Sequence, residues 1–139
     1  MTGPDGGTLA TIASVTSAFG STALLFRVQR ENDMRSKDER VWLPIADWLL
    51  LIATLTSLLL VLVPIAAGQP LAFPSAASAM SSVCVAGYVP SILAHYRIVL
   101  GGARRGPRVN PEPSELILVM LTVGTALAVG GWVMIHASS

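Results

Sequence analysis

The 139-residue chain predicts an all-α membrane protein: four transmembrane helices in an antiparallel bundle, built as two helical hairpins within a single domain spanning 1–139. Three observations predict it. Hydrophobic residues make up 53% of the chain and charged residues only 12%, where a soluble domain carries about 25% charge. Four apolar runs are each long enough to cross a hydrocarbon core of about 30 Å as a helix. All nine Lys and Arg side chains fall in two short stretches, 27–40 and 97–108, each bracketed by apolar runs. Cations at the ends of spans mark the cytoplasmic side. Both basic stretches therefore read as cytoplasmic loops, and both termini as lying outside.

The first span is expected over 8–27. It is only moderately apolar, and no cation precedes it as one would in a secretory signal, so it reads as an anchor entering with its N-terminus outside. The loop 28–42 carries Ser36 and Glu39 at capping-box spacing. The second span, 43–66, is Leu-rich and the strongest of the four. Asp47, Thr54 and Ser57 fall within one sector of about 100° on it, and that sector is expected to face the bundle. An outer loop, 67–74, follows at Gly68-Gln69-Pro70. The third span, 75–97, contains Gly87 and Pro90. A proline inside a helix removes one backbone hydrogen bond, so these two residues form a candidate hinge. The loop 98–114 leads through Pro111, Glu112 and Pro113 into the fourth span, 115–136. Prolines are tolerated in a first turn and carboxylates favour the positive end of the helix dipole. Phe26, Trp42, Trp48 and Tyr96 near one boundary and Phe73 and Trp132 near the other fit an aromatic belt.

Small residues at helical spacing are the expected contacts between helices in lipid, where close van der Waals approach drives association. Ser14, Ser17 and Ser21 make such a stripe on the first span, and Gly124, Ala128 and Gly131 on the fourth. Both are expected to pack within the bundle, with self-association as the competing use.

Asp47 is the residue most suggestive of chemistry, because a carboxylate in an apolar stretch is costly. It is expected about one turn from the cytoplasmic boundary, within reach of Arg27 or Arg97. His95, Arg97 and Glu115 end or begin spans at the same boundary. With Asp47 they form a candidate ion or proton site, weighed against interface residues that satisfy one another. Arg104, Arg105 and Arg108 are candidates for contact with anionic lipid headgroups, each contributing about 1 kcal/mol near a charged leaflet. They lack the interleaved aromatics of a nucleic-acid platform, so no nucleic-acid partner is expected.

Other chemistries are excluded by the residues themselves. His95 and His136 belong at opposite boundaries, too far apart to share a haem. Cys84 is the only cysteine, which leaves no thiol pair, and H-E-x-x-H does not occur. No cofactor, no metal site and no enzymatic activity is expected. The functional expectation is a small multi-pass protein serving as a non-enzymatic subunit or accessory of a membrane assembly, as a homo-oligomer or with other membrane proteins. The alternative is a small oligomeric ion channel or proton- or cation-coupled transporter that uses Asp47. Eight Arg against one Lys point to a bacterial source, hence a bacterial cytoplasmic membrane.

Overall fold

The computed structural model describes residues 4–35, 44–96 and 112–137. Among them the chain is helical throughout its length apart from short turns. We number the helices α1 (Gly6–Arg35), α2 (Asp47–Ala66), α3 (Ala72–His95) and α4 (Pro113–Ala137). All four are long and apolar enough to cross a membrane. Helix α1 runs eight residues beyond the end expected from the sequence, because nothing in 28–35 breaks a helix. The Ser36–Glu39 capping box lies outside the described residues.

Helix α2 starts at Asp47 and not at 43, since Pro44, Ile45 and Ala46 form a tight turn whose carbonyls accept from the amides of Asp47, Trp48 and Leu49 at 3.2, 3.1 and 2.9 Å. Its middle, Thr56–Leu62, widens into a π-helical segment before α-helical geometry resumes. Its end is closed by a Schellman motif. Gln69 N donates to Pro64 O at 2.9 Å and Gly68 N to Ile65 O at 3.0 Å, with Gly68 at φ 67. A left-handed φ is cheap only for glycine. Helix α3 begins directly afterwards, three residues earlier than expected, and carries Pro74 in its first turn, where a missing N–H costs nothing.

The interior is rich in small and polar side chains, and many of the large apolar ones point outward. Ala13, Ser57, Ser91 and Glu115 are fully buried, while Leu25, Phe26, Leu59, Met120 and Ile135 are exposed. This arrangement suits a hydrocarbon surround, where burying apolar bulk inside the protein gains nothing over lipid. The buried apolar residues form two clusters. One, around Leu49, Leu50, Ala53, Cys84 and Tyr88, draws in Val119 and Ala126 of α4; the other joins Leu9 and Ala13 to Val61 and Ala77.

Helix α4 makes its extensive contacts with α3 alone. Its buried stripe is Glu115, Val119, Thr122, Ala126 and Gly130, not the expected Gly124, Ala128 and Gly131, all three of which are exposed. Two notches fix this register. A Cβ on Gly87 would collide with Thr122, and one on Gly130 would lie 2.5 Å from Met80 Cγ. The α1 stripe is likewise rotated from its expected position. Ser17 is buried, but Ser14 and Ser21 are exposed, and the inward face is Leu9, Ala13, Thr16, Ser17, Gly20 and Arg27. On α1 the deciding contact is Gly20 against Thr54 of α2.

Candidate polar site at one end of the helices

Two ionic pairs gather where α1 and α3 end and α2 and α4 begin. Arg27 projects from the buried face of α1, and its Nε lies 3.4 Å from Asp47 Oδ2, with the two side chains 10% and 16% exposed. Its Nη1 donates to the Tyr96 hydroxyl at 2.6 Å. The guanidinium of Arg27 stands 5.7 Å from the centroid of the Tyr96 ring and that of Arg30 stands 5.0 Å from it, so one aromatic face serves two cations. Tyr88, two turns earlier on α3 and itself buried, lies within hydrogen-bonding reach of the Asp47 carboxylate. Asp47 also sits in the first turn of α2, where the helix dipole favours a negative charge.

The second pair is built on Glu115, which is fully buried. His95 Nδ1 and Glu115 Oε2 share a hydrogen bond of 2.7 Å, and the amide of Ala46 donates to Oε1 at 2.8 Å. Both carboxylate oxygens are thus occupied. The carboxylate acts as a cap for the turn that precedes α2, supplied by a residue from another helix. Edge-on contact with Tyr96, at 5.1 Å between centroids, holds the His95 ring in this orientation. His95 therefore links the two pairs.

Of the four residues expected in this site, Asp47, His95 and Glu115 come together at one end, and Arg97 lies outside the described residues. So do Arg104, Arg105 and Arg108. The sequence already offered Arg27 as a partner for Asp47. Tyr88 was not legible as a site member; it falls on the His95 face of α3 by its seven-residue spacing, a signal that becomes meaningful only once Asp47 is known to face α3. Gly87 and Pro90, the candidate hinge, lie within an unbroken helix. Ser91 Oγ donates to Gly87 O at 2.7 Å across that turn, and the space at Gly87 is used to admit Thr122.

A lateral cavity of about 210 Å³ opens beside the Arg27–Asp47 pair, between Leu24 and Val28 on one wall and Trp48 and Leu51 on the other. A larger cleft, of about 1020 Å³, opens at the opposite end of the molecule between α1, α3 and α4, with Leu9, Ile12, Ser75, Ala79, Trp132 and His136 among its walls. There His136 Nδ1 donates to the Trp132 carbonyl at 2.8 Å, and the two rings stack at 4.6 Å.

Comparison of the chain with protein-family models, with curated protein sequences and with solved structures finds no match.

Proposed function

We propose that this chain is a small integral membrane protein whose four helices cross the bilayer as an antiparallel bundle with both termini outside, and that it works as a non-enzymatic subunit or accessory of a larger membrane assembly. The antiparallel reading is supported by pairings that run in opposite senses along α1 and α2. Leu9 and Ala13 cluster with Val61, Gly20 meets Thr54 and Arg27 meets Asp47.

One observation carries the subunit reading: the surface of α4. Only 17% of its most apolar window is buried, the smallest share of the four helices. Its exposed face carries Gly124, Ala128 and Gly131 at packing spacing, and a Cβ added to either glycine would meet nothing within 4 Å. Such a stripe permits close backbone approach by another helix, and among the described residues no helix occupies it. Ser14 and Ser21 offer a second, similar face on α1.

The test is crosslinking in intact membranes before extraction, followed by native electrophoresis of the wild type and of Gly124→Leu with Gly131→Leu. A higher-order species that the double variant loses, while its thermal stability as a single chain stays unchanged, is the expected result. A wild type that yields neither self-contacts nor a stable partner overturns the reading.

A second reading, proton- or cation-coupled transport, is favoured by the concentration of Asp47, His95, Glu115 and Arg27 at one end of the helices. Proton and monovalent-cation flux into liposomes, compared between wild type and Asp47→Asn, decides it. Flux equal to that of empty vesicles removes this reading.

A further inference from the structure

Helical serines and threonines in an apolar surround ordinarily satisfy their hydroxyls by donating to a carbonyl three or four residues back. Several of those in this protein do so. Ser81 and Ser82 both donate to Ser78 O at 2.9 Å, Ser91 to Gly87 O at 2.7 Å and Thr122 to Leu118 O at 2.8 Å. Three do not. The hydroxyl oxygens of Ser17, Thr54 and Ser57 are buried and make no hydrogen bond to any protein group. The residues themselves are 7%, 7% and 0% exposed.

These three hydroxyls belong to a single seam. Thr54 Oγ1 occupies the space that a Cβ on Gly20 would need. Ser57 lies one turn further along α2, and Ser17 one turn before Gly20 on α1. Because Ala13 and Val61 meet beyond them, Ser17 and Ser57 are brought to the same level between these two fixed contacts. Ser57 is also the second residue of the π-helical segment, and π-helical turns recur at functional sites. The seam is bounded on both sides by apolar packing: Leu50 and Ala53 lie toward Asp47, and Leu9, Ala13 and Val61 toward the other end.

A buried polar atom without a partner costs the protein its full desolvation penalty, so groups of them are rare and call for a guest. Three hydroxyls, each able to donate and to accept, match a guest that does both. No charged residue lies at their level on α1 or α2: Asp47 is seven residues from Thr54, about 10 Å along the axis, and Arg27 is ten residues from Ser17, about 15 Å. That neutrality argues against a cation. We propose that the α1–α2 seam is a hydration site in the middle of the span, where Ser17, Thr54 and Ser57 hold ordered water between two dry clusters.

The direct test is water-edited solid-state NMR on the full-length protein in liposomes. Magnetisation from water should reach the side chains of Thr54 and Ser57 several-fold more strongly than those of Ala13 and Ala53, their neighbours in the dry clusters. Equally weak transfer to all four overturns the proposal. Substitution supplies an independent readout of opposite sign for the two cases. If the seam is hydrated, Thr54→Val with Ser57→Ala strands the water and lowers Tm by about 4 °C; if the hydroxyls are merely orphaned in a dry seam, their removal raises Tm. Wild-type Tm is then compared in sodium chloride and choline chloride at equal ionic strength. Equal values support water as the guest, and a sodium-specific rise assigns the seam to a cation and overturns the hydration site.

Discussion

The Arg27 guanidinium illustrates how a charge is kept inside a largely apolar molecule. It touches the Asp47 carboxylate and both the hydroxyl and the ring of Tyr96, two residues brought to it from distant parts of the chain. Breaking one side of such a buried pair is expensive because the remaining charge keeps its desolvation cost, whereas exchanging both sides for apolar groups is often neutral. Arg27→Met alone or Asp47→Leu alone should therefore each destabilise by about 3 kcal/mol, and the double variant should recover most of that loss. Thermal melting in detergent followed by size-exclusion chromatography measures all three. Glu115 obeys a different rule. Glu115→Gln retains a carbonyl oxygen for the Ala46 amide and loses only the ionic contact with His95, while Glu115→Ala loses both, so Tm should fall in the order wild type, Gln, Ala. At the start of α1, Asp5 Oδ1 accepts from the Thr8 amide at 2.7 Å, and this hydrogen bond lowers the Asp5 pKa from 3.8. A depressed carboxylate pKa contributes stability that is present above the unfolded value and lost as pH falls through the folded one. Amide protection of the first turn of α1 should thus be constant above about pH 5 and drop below pH 3.8; a drop already complete at pH 6 would contradict the cap. Asp47 was legible in the sequence as a polar group that must find partners. Arg27 was legible as one of its two candidate partners, but the tyrosines around the pair were not, because they reach it only once α3 lies against α2.

At the scale of the element, the four helices were readable from hydrophobicity and charge spacing, and so was the inward sector of α2 at Asp47, Thr54 and Ser57, but the faces of α1 and α4 were not. Small residues occur around most of the circumference of α1 and α4, so composition alone offers several stripes of equal merit. The choice among them was made by particular notches: Gly20 for Thr54, Gly87 for Thr122 and Gly130 for Met80. Gly20 and Gly130 did not stand out and Gly87 did so only as part of a candidate hinge, since a glycine in a membrane helix becomes a contact only through what faces it. Gly20→Val and Gly87→Val should each cost about 2 kcal/mol through overpacking, measured by thermal melting of the extracted protein. Gly124→Val, with open space around it, should leave the melt of the single chain unchanged. The π-helical segment of α2 was equally invisible to the sequence, because TSLLLVL has no residue that distinguishes a π turn from an α turn.

For the whole molecule, the charge asymmetry makes a prediction about orientation. In a Cys84→Ser background, a cysteine placed at Gln69 should react with an impermeant thiol reagent applied from outside, and one placed at Arg104 should react only after the membrane is opened. The reverse pattern would invert the orientation. Two contacts at the polar end span 69 residues each: Arg27 to Tyr96 and Ala46 to Glu115. As helices emerge during synthesis in chain order, the Arg27–Asp47 pair is complete once the first hairpin exists, Tyr96 joins it with the third helix, and Glu115 arrives last to meet the Ala46 amide and the His95 ring. The final helix is therefore the one that seals the polar end. Until it does, His95 and the turn before α2 wait for their partner, which gives a nascent chain of three helices a built-in mark of being unfinished.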